Sequence, residues 1–246
     1  MKKFVLVFVF LGCFLGSASA IDFRNITAVD FQTYLDGRLG IKAEEVAIFG
    51  FTPGFNLLAK VRVNKQSSYI SLGGTMGTVF TVGKRMYSEV SYGIDYHTVN
   101  SLIHTALIDW YTETDRFLQL TGFKIQISPT QITLFPSVAA RYVFSDSFNL
   151  WGKYTFIYDT VTGIDHSAWL EAGFPLWDKT AFNVGATFAT YHTDTVPSVI
   201  RPEFSGIAGL SYRFNDEILL KYKLEFTWRS EYQLFTNSLL LDIWYR

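Results

Sequence analysis

The chain carries four histidines, His97, His104, His166 and His192, and two of them have a carboxylate close by. Asp95 stands two residues before His97, and Asp194 two after His192. On an extended chain, residues two apart share a face. A carboxylate so placed would orient an imidazole and hold it basic, the arrangement of a general acid/base pair. No nucleophile accompanies either pair. His166 and Ser167 are adjacent, so a strand would point them to opposite faces. No H-E-x-x-H spacing occurs, Cys13 is the single cysteine, and no metal or other cofactor is implied. Charged residues form a larger set. Lys60 and Arg62 are two apart, as are Glu89 and its polar neighbour Ser91. Lys221, Lys223, Glu225 and Arg229 recur on one parity, with Arg213 shortly before them. Arg141, Lys153 and Glu171 stand singly, and Lys124, Asp109, Asp159 and Asp242 complete the group. Charges repeated on one parity suit a water-filled passage, where they select among ions.

The elements that would position these groups are strands. In Phe55–Asn64, Leu57, Ala59, Val61 and Val63 alternate with Asn56, Lys60 and Arg62. Glu217–Arg229 is cleaner: Ile218, Leu220, Tyr222, Leu224, Phe226 and Trp228 oppose Lys221, Lys223, Glu225, Thr227 and Arg229. Strict alternation of this kind marks a strand with one apolar face. It recurs through 68–82, 86–98, 130–144, 148–159, 167–174, 180–192 and 204–214. Ser101–Thr112 has an uncertain facing, and Phe117–Ile127 changes parity near Gly122, as a β-bulge would produce. With a last strand at Tyr232–Tyr245 the count from residue 54 onward is about 12, with 10 to 14 as its range. Gly83-Lys84-Arg85, Ser145-Asp146-Ser147, Trp177-Asp178-Lys179 and Asn215-Asp216 are short turns that join the strands as hairpins. Thr160–Asp165 and Thr193–Pro202 are longer links.

The N-terminus differs. Lys2 and Lys3, the apolar stretch Phe4–Leu15 and Ala18-Ser19-Ala20 read as a cleaved secretory leader over residues 1–20. The apolar stretch is too short for a spanning helix. Phe10-Leu11-Gly12-Cys13 is a poorer match to a lipidation signal. Residues 21–53 read as a periplasmic cap, lead-in or partial plug. Asp30 would cap a short helix over Phe31–Leu39, ended by Gly40, and a further strand near Val46–Phe51 is an alternative. The formal net charge of −1 is too even for a nucleic-acid partner or a polybasic membrane anchor.

Alternation alone does not say which face is inside. A soluble periplasmic sandwich or barrel would bury the apolar face. Three features favour a membrane barrel instead. The polar face is rich in Ser, Thr, Asn and Gly, where a solvated face would carry more Lys and Glu. The apolar-face aromatics gather at both strand ends: Tyr142, Phe144, Phe148, Phe174, Phe182, Tyr212, Phe214 and Tyr245 at one, and Tyr92, Tyr96, Phe156, Tyr158, Phe188, Phe226 and Trp228 at the other. Aliphatic residues lie between, as between interfacial girdles. The rings, with 23 Phe, 14 Tyr and 6 Trp in the chain, are also too many to pack inside a small sandwich.

With its leader, alternating strands and aromatic-rich end Leu239–Tyr245, the chain resembles Gram-negative outer-membrane β-barrel proteins. The resemblance implies an all-β, up-and-down antiparallel barrel over 54–246, integral to the outer membrane. It implies outer-membrane lipids and the barrel-assembly machinery as partners; Arg246 departs from the terminal aromatic which that machinery reads. The pore-lining candidates are then Lys60, Arg62, Glu89, Asp95, Arg141, Lys153, Glu171, Arg213, Lys221, Lys223, Glu225 and Arg229. The expected function is a channel for ions or small, anionic solutes rather than an enzyme. A sealed structural barrel and an outer-rim hydrolase or lipid-modifying enzyme are the alternatives.

Overall fold

The computed structural model describes residues 22–52, 54–66, 69–98, 101–192 and 200–245. The expected leader, Cys13 and Asp194 lie outside these residues. The strands are β1 (Asp22–Tyr34), β2 (Leu39–Thr52), β3 (Phe55–Gln66), β4 (Ile70–Gly83), β5 (Met86–His97), β6 (Ser101–Glu113) and β7 (Phe117–Ile127). They continue with β8 (Ile132–Ser145), β9 (Phe148–Asp159), β10 (Gly163–Trp177), β11 (Thr180–His192), β12 (Ile200–Arg213), β13 (Ile218–Trp228) and β14 (Gln233–Tyr245). Each pairs antiparallel with its sequence neighbours, and β1 pairs with β14 to close the barrel.

The expected strands from residue 54 onward correspond to β3–β14, and the fourteen strands observed stand at the upper end of the expected range. The additional pair comes from the segment expected to be a cap, lead-in or plug. Residues 22–52 form the first hairpin instead, and the expected helix at Phe31–Leu39 is strand, turn and strand. Phe31, Tyr34, Leu35 and Leu39 do have helical spacing. However, the chain reverses at residues 35–38, where Gly37 takes a φ of 85° that other residues rarely adopt. Closure explains why this hairpin is extended. Without β1, β14 would expose unpaired backbone groups to hydrocarbon, which offers them no hydrogen bond. The register runs without a break from Phe23 opposite Tyr245 to Tyr34 opposite Leu234.

A second expectation also changes. Strand β7 has no bulge at Gly122, since its register is continuous with both β6 and β8. Leu118, Leu120 and Lys124 all face inward, and Gln119 and Thr121 face outward near one strand end. That exchange of apolar and polar residues imitated a change of parity.

The two faces of the wall are inverted relative to a soluble barrel. Met76, Leu170, Leu210, Leu239 and many other large apolar residues are exposed on the outer face. Among the described residues the buried set is mostly polar, including Ser91, Asp95, Asp159, Asp165, Ser205, Thr227 and Asp242. The aromatic bands exist as contacts. Near the chain termini, Tyr142, Phe144, Phe148 and Phe174 follow one another at 4.7, 5.2 and 5.4 Å between centroids. At the other end, Phe188, Phe204 and Trp228 follow at 5.2 and 6.1 Å. The four short turns anticipated above all lie at the end that holds both termini.

Candidate solute pathway

Strand parity decides which residues enter the lumen. On β3, Lys60 and Arg62 point inward with Asn56 and Asn64; on β5, Glu89 and Asp95 do so with Ser91 and His97. Arg141 on β8, Lys153 on β9 and Glu171 on β10 belong to the same inner face, since Arg141 pairs with Trp151 and Glu171 with Trp151 and Gly185. Arg213, Lys221, Lys223 and Glu225 continue it on β12 and β13. Arg229, one residue beyond β13, donates to the Glu203 carboxylate and lies 4.4 Å from the centre of the Tyr191 ring.

Several of these charges are neutralised by partners on the same wall. Arg62 reaches across β4 to make a two-pronged bond to Asp95. The crossing point is Gly73, where a Cβ would stand 1.8 Å from Asp95 Oδ1. Lys60 meets Glu44 at 3.0 Å and Lys223 meets Glu225 at 2.9 Å. The first hairpin, in the segment expected to be a cap, lead-in or partial plug, supplies Arg24 to Asp242 at 2.7 Å and Asp30 to Lys42 at 3.9 Å. Their signal was present in the sequence as the same-parity spacing of Asp22 and Arg24 and of Lys42 and Glu44.

Other lumen charges have no opposite charge within 4 Å among the described residues. The cations are Lys124, Arg141, Lys153 and Lys221, with Arg213 at the end of β12, and the carboxylates are Glu89, Asp109 and Glu171, with Asp22, Glu113 and Asp159 at strand ends. They alternate around the circumference. Glu89 and Asp109 face each other from β5 and β6. Lys124, Arg141 and Lys153 follow on β7–β9, then Glu171 on β10, then Arg213 and Lys221 on β12–β13. Lys124 Nζ sits 3.8 Å above the Phe135 ring.

At the end where β1 begins and β14 ends, the lumen holds a cavity of about 490 Å³ lined by Asp22, Arg24, Asn56, Tyr87, Glu89, Tyr111 and Trp244, among others. Arg24 lies 4.3 Å over Trp244, and Tyr87 stacks on Tyr111 at 4.4 Å and 9°. Trp151 and Trp169 meet edge-on at 5.8 Å farther round the wall. At the opposite end, Asp159 accepts from Thr133 Oγ1 and from the backbone N–H groups of Val161 and Thr162, which holds that turn in place. Also at that end, in the turns outside the membrane, Asp36 and Glu231 have carboxyls held below their ordinary range, the first by the Arg38 backbone N–H and the second by the Tyr191 hydroxyl. The longest connection is residues 193–199. The other connections between strands hold four residues or fewer.

Among the described residues the four histidines take separate partners. Asp95 is taken by Arg62, while His97 stacks on Tyr69 at 6.2 Å. His104 and His166 face outward, each bonded through Nδ1 to a tyrosine hydroxyl at 2.5 Å, Tyr92 and Tyr154 respectively. His192 pairs with Asp165 at 2.8 Å, and both side chains are nearly buried. This last pair escaped sequence reasoning because its members are 27 residues apart.

No family model matches the chain, and no curated protein matches it. Solved structures do. The CymD monoaromatic hydrocarbon channel superposes with a TM-score of 0.64 at 11% identity, over 90% of this chain and 87% of that one. An outer-membrane channel from Pseudomonas putida F1 gives 0.59 at 8% identity, over 90% and 95%. Acinetobacter baumannii Omp33, an outer-membrane protein, gives 0.55 at 10% identity, over 92% and 99%. The fold is that of an outer-membrane β-barrel. At these identities the likeness concerns architecture, and the lumen must speak for itself.

Proposed function

We propose that the protein is an outer-membrane channel for small polar solutes, with a preference for anions. The observation that carries this reading is the lumen wall. It carries charges where a soluble barrel has an apolar core, several of those charges have no opposite charge within 4 Å among the described residues, and the connections between strands other than residues 193–199 hold four residues or fewer. Outside the ion pairs and away from the strand ends, the four cations Lys124, Arg141, Lys153 and Lys221 stand against the three carboxylates Glu89, Asp109 and Glu171, and such a lining raises the local concentration of anions. The similarity to solved outer-membrane channels supports the same reading, as does the membrane location implied by an apolar outer face between aromatic bands. In the usual orientation the termini and the 490 Å³ cavity face the periplasm. Transport asks nothing of the histidines, so the proposal includes no catalytic step.

The test is conductance in planar bilayers. Discrete steps with an anion-favouring reversal potential are expected, and Lys153→Glu with Lys221→Glu should move that potential toward cations. Silence from correctly folded protein would favour the sealed barrel, and an unchanged reversal potential would remove the anion preference.

A further inference from the structure

Glu45 occupies a position that the barrel alone does not explain. Its neighbour Glu44 points into the lumen and pairs with Lys60. Glu45 therefore points outward, opposite Thr27 of β1 and Val61 of β3. It lies midway along β2 (Leu39–Thr52). The Phe23, Phe49 and Tyr245 cluster lies toward one end and Phe31 toward the other. Among the described strands it is the only carboxylate on the outer face. Hydrocarbon gives a carboxylate nothing to bond with, and ionisable groups at this depth mark function.

Glu45 is not isolated. Asn25 Nδ2 donates to Glu45 Oε1 at 3.1 Å, and Thr27 Oγ1 donates to Asn25 Oδ1 at 3.3 Å. This leaves the second Glu45 oxygen and the second Asn25 N–H without partners on the outer wall. Donor and acceptor thus stand side by side. A two-fold axis through the cluster would bring each Asn25 N–H of one copy to the Glu45 carboxylate of the other, the self-complementary pattern of an isologous contact. Ala43, Ala47 and Ala59 surround the cluster, so two walls can approach closely. Lipid headgroups are too far from a site between the aromatic bands.

We propose that the β1–β3 outer wall is a self-association surface, on which a second copy of this chain docks through the Asn25–Thr27–Glu45 cluster. The reading depends on the barrel and its membrane setting, not on transport through it.

Cross-linking in vesicles that contain only the purified protein tests it. In a Cys13→Ser background, Ala47→Cys should form a disulfide-linked dimer under mild oxidation. Val138→Cys, exposed on the opposite wall, should not. Adding Glu45→Leu to the Ala47→Cys chain should abolish the dimer, while heat-modifiable migration shows the barrel intact. Ala47→Cys chains that stay monomeric would overturn the proposal, and would be the result if a different protein covers this wall. Equal cross-linking at both sites, or a dimer yield indifferent to Glu45→Leu, would also overturn it.

Discussion

At the residue scale, the lumen shows how a small side chain permits a charged one. Gly73 lets Arg62 reach Asp95 across an intervening strand, because no Cβ occupies the 1.8 Å gap to the carboxylate. Gly73→Ala should displace that carboxylate from its guanidinium partner and leave a charge only 6% exposed without its bonds. The expected cost is about 1–3 kcal/mol, read as a lower urea midpoint for loss of the heat-modifiable band. Gly206 is the control. It faces outward with nothing within 4 Å of an added Cβ, so Gly206→Ala should change stability by no more than about 0.5 kcal/mol. If the two variants unfold together, the crossing at Gly73 is not under the constraint described.

At the element scale, the alternation of each strand assigns opposite tolerances to adjacent residues. Leu170 lies midway along β10 (Gly163–Trp177) and is 53% exposed on the outer face. Leu170→Lys should cost about 2–4 kcal/mol, as expected for a cation at the bilayer midplane. Thr187 on β11 points into the lumen opposite Trp169, so Thr187→Lys should be tolerated in the same folding assay. Equal losses would contradict the assigned faces. The same alternation made most of β3–β14 readable from sequence, because apolar residues occupy most lipid-facing positions; where His104 on β6 and Gln119 and Thr121 on β7 face outward, the facing was harder to read. The first hairpin was hidden for the converse reason. Asn25, Thr27 and Glu45 are polar where lipid-facing residues should be apolar, while Ile26, Ala28, Val46 and Ile48 are apolar where the lumen should be polar. A local pattern does not reveal that β14 needs a partner. That requirement belongs to the closed sheet. Likewise, same-parity spacing showed which charges share the inner face, but their pairing depends on neighbours in other strands, as with Arg62 and Asp95.

At the scale of the whole molecule, the barrel separates its tryptophans into two environments. Trp110 and Trp228 are exposed on the outer face, at 59% and 39%, while Trp151, Trp169 and Trp244 face the lumen. In single-tryptophan variants reconstituted with brominated lipids, fluorescence from Trp110 or Trp228 should be strongly quenched and that from Trp169 nearly unaffected. A water-soluble quencher should reverse the order for Trp169 if the lumen admits solutes. Quenching of Trp169 by lipid alone would place the faces the other way round.

The brevity of the connections reaches beyond transport. A barrel whose longest link is residues 193–199 has few residues beyond its strand ends. In the usual orientation, with the start of β1 and the end of β14 toward the periplasm, such links would offer antibodies, phage fibres and surface proteases little to grasp. A cell could carry it in quantity and remain nearly unmarked by it, until an epitope inserted within 193–199 made it visible.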